Sequence, residues 1–192
     1  MKLKDIIVIS GQSGAGKGTL ITKLRAQNPD KFYYVRSTTS RAPRTTGETA
    51  AIDLDKQNYI FVSAPEFERK ITAGEMLEWA QVHGHYYGKS KAEFAEAARR
   101  KKMALVEIDV QGMRAVKKAY GDRVKTIFIV VPSLEELARR LRHRGTETEA
   151  QIATRLETAR READYISEYD YQIVNDKLNT ALAELEEIIM KK

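Results

Sequence analysis

A glycine-rich turn near residue 14 constrains the fold more than any other feature of this sequence. An apolar run, Ile6 to Ser10, leads into Gly11-Gln12-Ser13-Gly14-Ala15-Gly16-Lys17-Gly18-Thr19. Leu20, Ile21 and Leu24 then follow at helical spacing. Apolar residues without alternation are typical of a strand that is buried on both faces, as in a parallel sheet. The segment therefore predicts a buried strand, a tight turn and the first turns of a helix.

This arrangement is the context in which a P-loop binds the phosphates of a nucleoside triphosphate. The glycines let successive N–H groups face one anion, and the helix N-terminus adds the positive end of its dipole. Lys17 is expected to reach the β- and γ-phosphates of ATP. Gly18 stands where the usual pattern has a serine or threonine for Mg²⁺, so that role falls to Thr19 or to a water. The predicted ATP-binding residues of the turn are Gly11, Ser13, Gly14, Ala15, Gly16, Lys17, Gly18 and Thr19.

Strand-like and helix-like segments alternate along the chain, which favours a three-layer α/β fold. The predicted strands are 6–10, 31–35, 59–62, 103–109, 125–131 and 171–174. Capping pairs indicate four helix starts: Ser63 with Glu66, Ser90 with Glu93, Ser133 with Glu136, and Thr148 with Gln151. A final amphipathic helix follows from Leu178, and the polar segment 40–56 is interpreted as a long loop.

Composition narrows the classes of function. The chain has 192 residues, which suits one domain with a full core, and it has no cysteine for disulfides or thiolate metal sites. No apolar run is long enough to span a bilayer or to form the core of a signal peptide, so we expect a cytoplasmic protein without a membrane partner. The net charge of +6 suits anionic partners. The basic residues are dispersed, without an aromatic-basic repeat, and we expect no nucleic acid partner.

Four further segments, in this order, resemble the guanylate kinase family of nucleoside monophosphate kinases. They are 37–48 with Tyr59, 75–88, 103–112, and 140–149 with Arg155. The resemblance covers nearly the whole chain, up to Ile-Val-Asn-Asp at 173–176. It implies a P-loop NTPase fold with a parallel sheet core, a small mixed GMP-binding lobe and a helical lid. The protein is expected to be a monomer or a homodimer. The implied single domain, 1–192, has its core at about 1–35, 91–139 and 156–192, its lobe at about 36–90 and its lid at about 140–155.

The resemblance also implies an acceptor site for GMP. Arg41 and Arg44 would clamp the acceptor phosphate with bidentate bonds, together with the hydroxyls of Tyr59 and Tyr87. Glu78 would accept the adjacent N1–H and 2-amino donors of guanine, a donor pair that adenine lacks. The implied GMP-binding residues are Ser37, Arg41, Arg44, Tyr59, Glu78, Tyr87 and Asp109. Glu107 and Asp109 are predicted to share one face of a strand end, with Asp109 near guanine and the metal.

The lid supplies the remaining implied catalytic groups. Arg140, Arg144 and Arg155 match arginines that close over the transferring phosphoryl group, whose charge they would stabilise. The catalytic set is therefore Lys17, Arg140, Arg144 and Arg155, and Asn175 would lie near the adenine of ATP. Thr19 and Asp109 are the candidate metal ligands, partly through water. The implied reaction converts ATP and GMP to ADP and GDP, with Mg²⁺ as cofactor.

Two departures from the family pattern concern the acceptor. The segment 49–58 is longer than usual before the clamp tyrosine, and Lys89 replaces a serine or threonine that touches the base. Lys89 either donates to a guanine carbonyl or points to solvent.

Two alternative functions remain: a related P-loop kinase for another phosphorylated acceptor, such as a ribose bisphosphate, or a non-catalytic binding module. Such modules tend to lose P-loop and lid residues, which this chain retains.

Overall fold

The computed structural model describes residues 5–43, 55–144 and 148–191, with the side chain of Arg144 left out. Arg44 lies outside these residues, as does most of the predicted 40–56 loop. The strands are β1 Ile6–Gly11, β2 Phe32–Tyr34, β3 Ser37–Thr39, β4 Tyr59–Phe61, β5 Met76–Val82, β6 His85–Ser90, β7 Met103–Glu107, β8 Val124–Val130 and β9 Tyr171–Val174. The helices are α1 Lys17–Gln27, α2 Ala64–Thr72, α3 Lys91–Arg99, α4 Val110–Tyr120, α5 Leu134–Arg144, α6 Glu149–Ala163 and α7 Leu178–Met190.

Two sheets organise these elements, and the predicted α/β fold with a parallel core is confirmed. The five-stranded sheet has the order β2-β7-β1-β8-β9, and its β2–β7 and β8–β9 pairs are parallel. The four-stranded sheet has the order β4-β3-β6-β5 and is mixed: β3 pairs parallel with β4 and antiparallel with β6. None of the helices in the described ranges is long and apolar enough to cross a membrane.

The chain divides into two compact units. The first comprises residues 1–6, 31–106 and 114–124 and contains the four-stranded sheet. The second comprises residues 7–30, 107–113 and 125–192 and contains the glycine-rich turn with α1, α5, α6 and α7. In the second unit Ile7, Leu20, Ile129 and Leu185 are fully buried. The division into core, lobe and lid drawn from the family resemblance stays a prediction.

Helix starts follow the capping pairs, with one instructive exception. Ser63 and Ser133 accept the amides of Glu66 and Glu136, and Thr148 forms a full capping box with Gln151. Ser90 also precedes a helix, but its side chain makes no capping bond. The carboxylate of its expected partner, Glu93, is buried instead and accepts bonds from Tyr33 and Arg36.

Two sequence-based predictions about strands were wrong. Strands β3, β5 and β6 were not predicted, because they contain polar residues and carry no clear apolar pattern. Strand β7 ends at Glu107, whereas the prediction extended it to Asp109. Asp109 lies instead just before α4, where its Oδ1 accepts the amide of Gly112 at 2.8 Å. Glu107 and Asp109 therefore do not share a face of one strand.

Gly11 is required by close packing at the end of β1. Its φ is +147°, and a Cβ built there would lie 2.1 Å from the carbonyl oxygen of Ile129. We expect Gly11→Ala to lower the free energy of unfolding by about 3 kcal/mol or more, because backbone must move to relieve the contact. Denaturant unfolding measures the loss.

Gly18→Ala is the matched control for this substitution. Gly18 lies in α1 and a Cβ there would meet no atom within 4 Å. Alanine is expected to raise the free energy of unfolding by about 0.5–1 kcal/mol, because it reduces the entropy of the unfolded chain. Equal stability of the two variants would contradict the packing argument at Gly11.

Candidate active site

The glycine-rich turn forms a loop between β1 and α1. Gly16 is the N-cap residue of α1 and has a left-handed backbone, with φ +81° and ψ +18°. A Cβ at Gly16 would lie 2.6 Å from the Nδ2 of Asn175, so a side chain is excluded by space as well as by φ. Because glycine has no side chain to cap the helix, the first amides of α1 are left for an anion at the loop.

Lys17 directs its ammonium into this loop. Its Nζ donates to the carbonyl oxygens of Gly11 at 2.6 Å and Gln12 at 2.9 Å. Burial lowers the pKa of Lys17 below its ordinary value, and the carboxylates of Glu107 and Glu162 oppose that shift. The phosphates of a nucleotide would stabilise the charged ammonium far better than the two neutral carbonyls do.

Two side chains of helix α6 form hydrogen bonds with Ser13 of the loop. The Nη1 of Arg155 donates to Ser13 Oγ at 2.7 Å, and the Ser13 amide donates to Glu162 Oε2 at 3.0 Å. Arg155 and Glu162 lie two turns apart and therefore on one face of α6. Burial raises the pKa of Glu162, and the nearby charge of Asp109 adds to that shift, while the Ser13 amide and Lys17 oppose it. Arg155 was predicted at this site, but Glu162 was not. The seven-residue spacing between them places both on one helix face and could have indicated Glu162.

Buried amide side chains fix the rest of the loop. Gln12 is 6% exposed; its Nε2 donates to Ala159 O at 3.1 Å, and its Oε1 accepts the Val131 amide at 3.0 Å. Asn175 donates from Nδ2 to Ala15 O at 2.7 Å. Sequence reasoning overlooked Gln12, which lies inside the predicted motif. The Asn175 side chain supports the loop, and its placement near adenine stays a prediction.

Arg140 joins helix α5 to the turn after β9. Its guanidinium donates to Glu136 on the same helix at 2.6 Å. It also donates to the carbonyl oxygens of Asn175 at 2.8 Å and Asp176 at 3.2 Å. The structure thus connects Arg140, through Asn175, to the loop that contains Lys17.

A second cluster of predicted residues lies in the first unit, around Arg41. Its guanidinium carbon lies 5.2 Å from the centre of the Tyr59 ring and 5.4 Å from that of Phe61. The rings of Tyr59 and Tyr87 are 6.3 Å apart, edge to face. Hydrogen bonding to Asp55 is the largest cause that raises the pKa of Arg41, and Tyr87 adds to it. Arg41, Tyr59 and Tyr87, three of the four predicted clamp residues, are therefore together.

The predicted base-reading residue lies on the neighbouring strand pair. Glu78 on β5 is directly opposite Lys89 on β6, and Ser37 begins β3 of the same sheet. Lys89 is only 2% exposed, and its Nζ donates to Val35 O at 2.7 Å. Of the two alternatives for Lys89, pointing to solvent is therefore wrong. The chain has a buried ammonium on the strand next to Glu78.

The described residues contain no group of three or more histidine, aspartate and glutamate side chains arranged to hold a metal ion. Thr19 is exposed in the first turn of α1, and Asp109 uses Oδ1 on Gly112. Mg²⁺ usually takes one or two carboxylates together with substrate phosphates and waters, not a complete protein cage. Glu107 and Asp109, whose charges act on Lys17 and Glu162, fit that limited role.

Comparison with known proteins identifies the family to which this chain belongs. The family model described as guanylate kinase matches residues 3–192. The chain belongs to the guanylate kinase family. A guanylate kinase from Thermosynechococcus vestitus is 45% identical, with 96% of this chain and 93% of that protein covered. A guanylate kinase from Clostridium tetani is 42% identical, with 96% of this chain and 84% of that protein covered.

A solved structure supports the same family at the level of the fold. The crystal structure of guanylate kinase from Anaplasma phagocytophilum has a TM-score of 0.71 with this chain at 28% identity. The alignment covers 100% of this chain and 89% of that one. The resemblance inferred from the sequence is confirmed, and the chain is an enzyme of this P-loop family.

Proposed function

We propose that this chain transfers the γ-phosphoryl group of ATP to GMP and forms ADP and GDP. The observation that carries the proposal is the contact of Lys17 and Arg155 with the phosphate-binding loop, in a chain of the guanylate kinase family. Neither a ribose bisphosphate acceptor nor a scaffold function is needed to account for these residues.

The donor half of the reaction would belong to the second unit. The loop amides and the α1 N-terminus would bind the ATP phosphates, and Lys17 would exchange its two carbonyl partners for phosphate oxygens. Arg155 would leave Ser13 Oγ and stabilise the charge that spreads over the transferring group. Arg140 and Arg144 belong to the same predicted arginine set.

The acceptor half would belong to the first unit. Arg41, with Arg44, Tyr59 and Tyr87, would bind the phosphate of GMP, while Ser37 and Glu78 would contact guanine. Asp109, the remaining proposed guanine contact, belongs to the second unit. The acceptor is already an anionic phosphate, so no general base is required. Positioning and electrostatic stabilisation would supply the catalysis, with water excluded so that ATP is not hydrolysed.

Mg²⁺ would be held by the ATP phosphates with Glu107, Asp109 and Thr19, directly or through water. When bound, it would supply positive charge that neutralises part of the phosphate charge. A cytoplasmic location and action as a monomer or homodimer also remain proposals.

ADP formation in a coupled assay tests the function directly. ATP and Mg²⁺ are supplied with GMP, AMP, CMP, UMP or a ribose bisphosphate as acceptor. We expect turnover with GMP and at least about 100-fold lower kcat/KM with AMP, because Glu78 would face no donor pair. Equal use of AMP would overturn the role of Glu78 but keep the donor site, and turnover only with the sugar phosphate would refute the proposed function.

A further inference from the structure

The clamp around Arg41 already contains an anion of the protein itself. The Arg41 Nη2 lies 2.7 Å from Asp55 Oδ1, and its Nη1 lies 3.3 Å from Asp55 Oδ2. This two-point geometry is the one in which a guanidinium also binds a phosphate. Asp55 therefore uses the donors that a phosphate would use.

Burial makes this contact stronger than an ordinary surface ion pair. The Asp55 side chain is 4% exposed and that of Arg41 is 22% exposed. Water screens the pair poorly, and a buried carboxylate requires a charged partner. The Arg41 guanidinium is held at the same time against the rings of Tyr59 and Phe61, so contacts from several sides fix its orientation.

Asp55 precedes the clamp tyrosine Tyr59 by four residues. It lies in the 49–58 segment, which is longer than the family resemblance leads one to expect. Residues 55–58 are helical and run directly into β4, so Asp55 is one helical turn before Tyr59. The helical residues 55–58 thus place a carboxylate at the clamp.

We propose that Asp55 is an internal competitor of the acceptor phosphate, and that GMP binds by displacing the Asp55 carboxylate from Arg41. The proposal rests on the proposed function, since it takes Arg41 as a ligand of the GMP phosphate. A phosphate dianion beside an ionised Asp55 would be repelled, so each GMP that binds must first separate this ion pair. Asp55 thereby lowers the affinity for the acceptor without contacting ATP.

The test removes the charge of Asp55 and keeps its shape. In Asp55→Asn we expect the KM for GMP to fall about tenfold, because like-charge repulsion is lost, with kcat within about twofold and the KM for ATP unchanged. Calorimetry without ATP should show the same gain for GMP and none for guanosine, which has no phosphate. Asp122→Asn removes one charge at an exposed position and should change neither KM.

The outcomes separate the two proposals. Turnover of GMP by the wild type, with an unchanged or higher KM in Asp55→Asn, would overturn the role of Asp55 alone. A gain that is equal for GMP and guanosine would also overturn it. No turnover and no calorimetric binding of GMP by either protein would overturn the proposed function as well. Thermal unfolding verifies that the variant is folded, and if it is not, Asp55→Ser provides the same comparison.

Discussion

Lys17→Ala is expected to lower kcat/KM by about 1,000-fold or more, since it removes an ammonium that is directed into the phosphate-binding loop. The loss has two parts. ATP binds more weakly, and the charge that develops on the β- and γ-phosphates during transfer loses a fixed partner. The coupled ADP assay with GMP measures the rate, and nucleotide titration measures ATP binding.

Lys23→Ala is the control for Lys17, because Lys23 is exposed on the same helix. It changes the net charge equally and is expected to leave kcat and both KM values nearly unchanged. A near-native rate in Lys17→Ala would refute the assignment of this loop as the ATP site.

Arg155→Ala is the second substitution with a large expected effect. We expect kcat to fall about 1,000-fold, because a guanidinium that stabilises the transferring phosphoryl group typically contributes this much or more. The KM for ATP and the KM for GMP should change much less, since the interaction is made mainly in the transition state. Steady-state kinetics with both substrates varied provides this separation.

Arg161 offers the matched arginine on the same helix. It is exposed and pairs with Glu157, so Arg161→Ala is expected to retain nearly full kcat. If Arg155→Ala instead raised both KM values and kept kcat, Arg155 would be a structural contact of Ser13 and not a catalytic residue.

The phosphate-binding loop could be predicted from the sequence because the strand, the glycines and the helix are neighbours in the chain. The residues that hold the loop are distant in sequence. Gln12 and Ala159 are 147 residues apart, and Ser13 and Glu162 are 149 apart. Local patterns do not show such pairs. Arg155 was predicted only through resemblance to a family.

The four-stranded sheet shows a second limit. Strand prediction rests on buried apolar runs, and β6 contains a lysine, a serine and a histidine. Its Lys89 is nearly fully buried, and the ammonium is stabilised there by a bond to a backbone carbonyl. No sequence pattern indicates that bond. Asp55 was missed for a similar reason, since a carboxylate in a polar segment is normally solvated.

The hydrogen bonds of Arg155 and Glu162 to Ser13 have a consequence for the synthesis of the chain. Ribosomes extend a chain at roughly 5–20 residues per second, so Glu162 follows Ser13 after roughly 7–30 seconds. The chain must therefore be extended by 149 residues beyond Ser13 before the loop gains its full set of contacts. A nascent chain released before α6 would carry the whole nucleotide-binding motif without the side chains that hold its shape. An ATP resin is then expected to retain nascent chains that include α6 and to retain fewer of those that end before it.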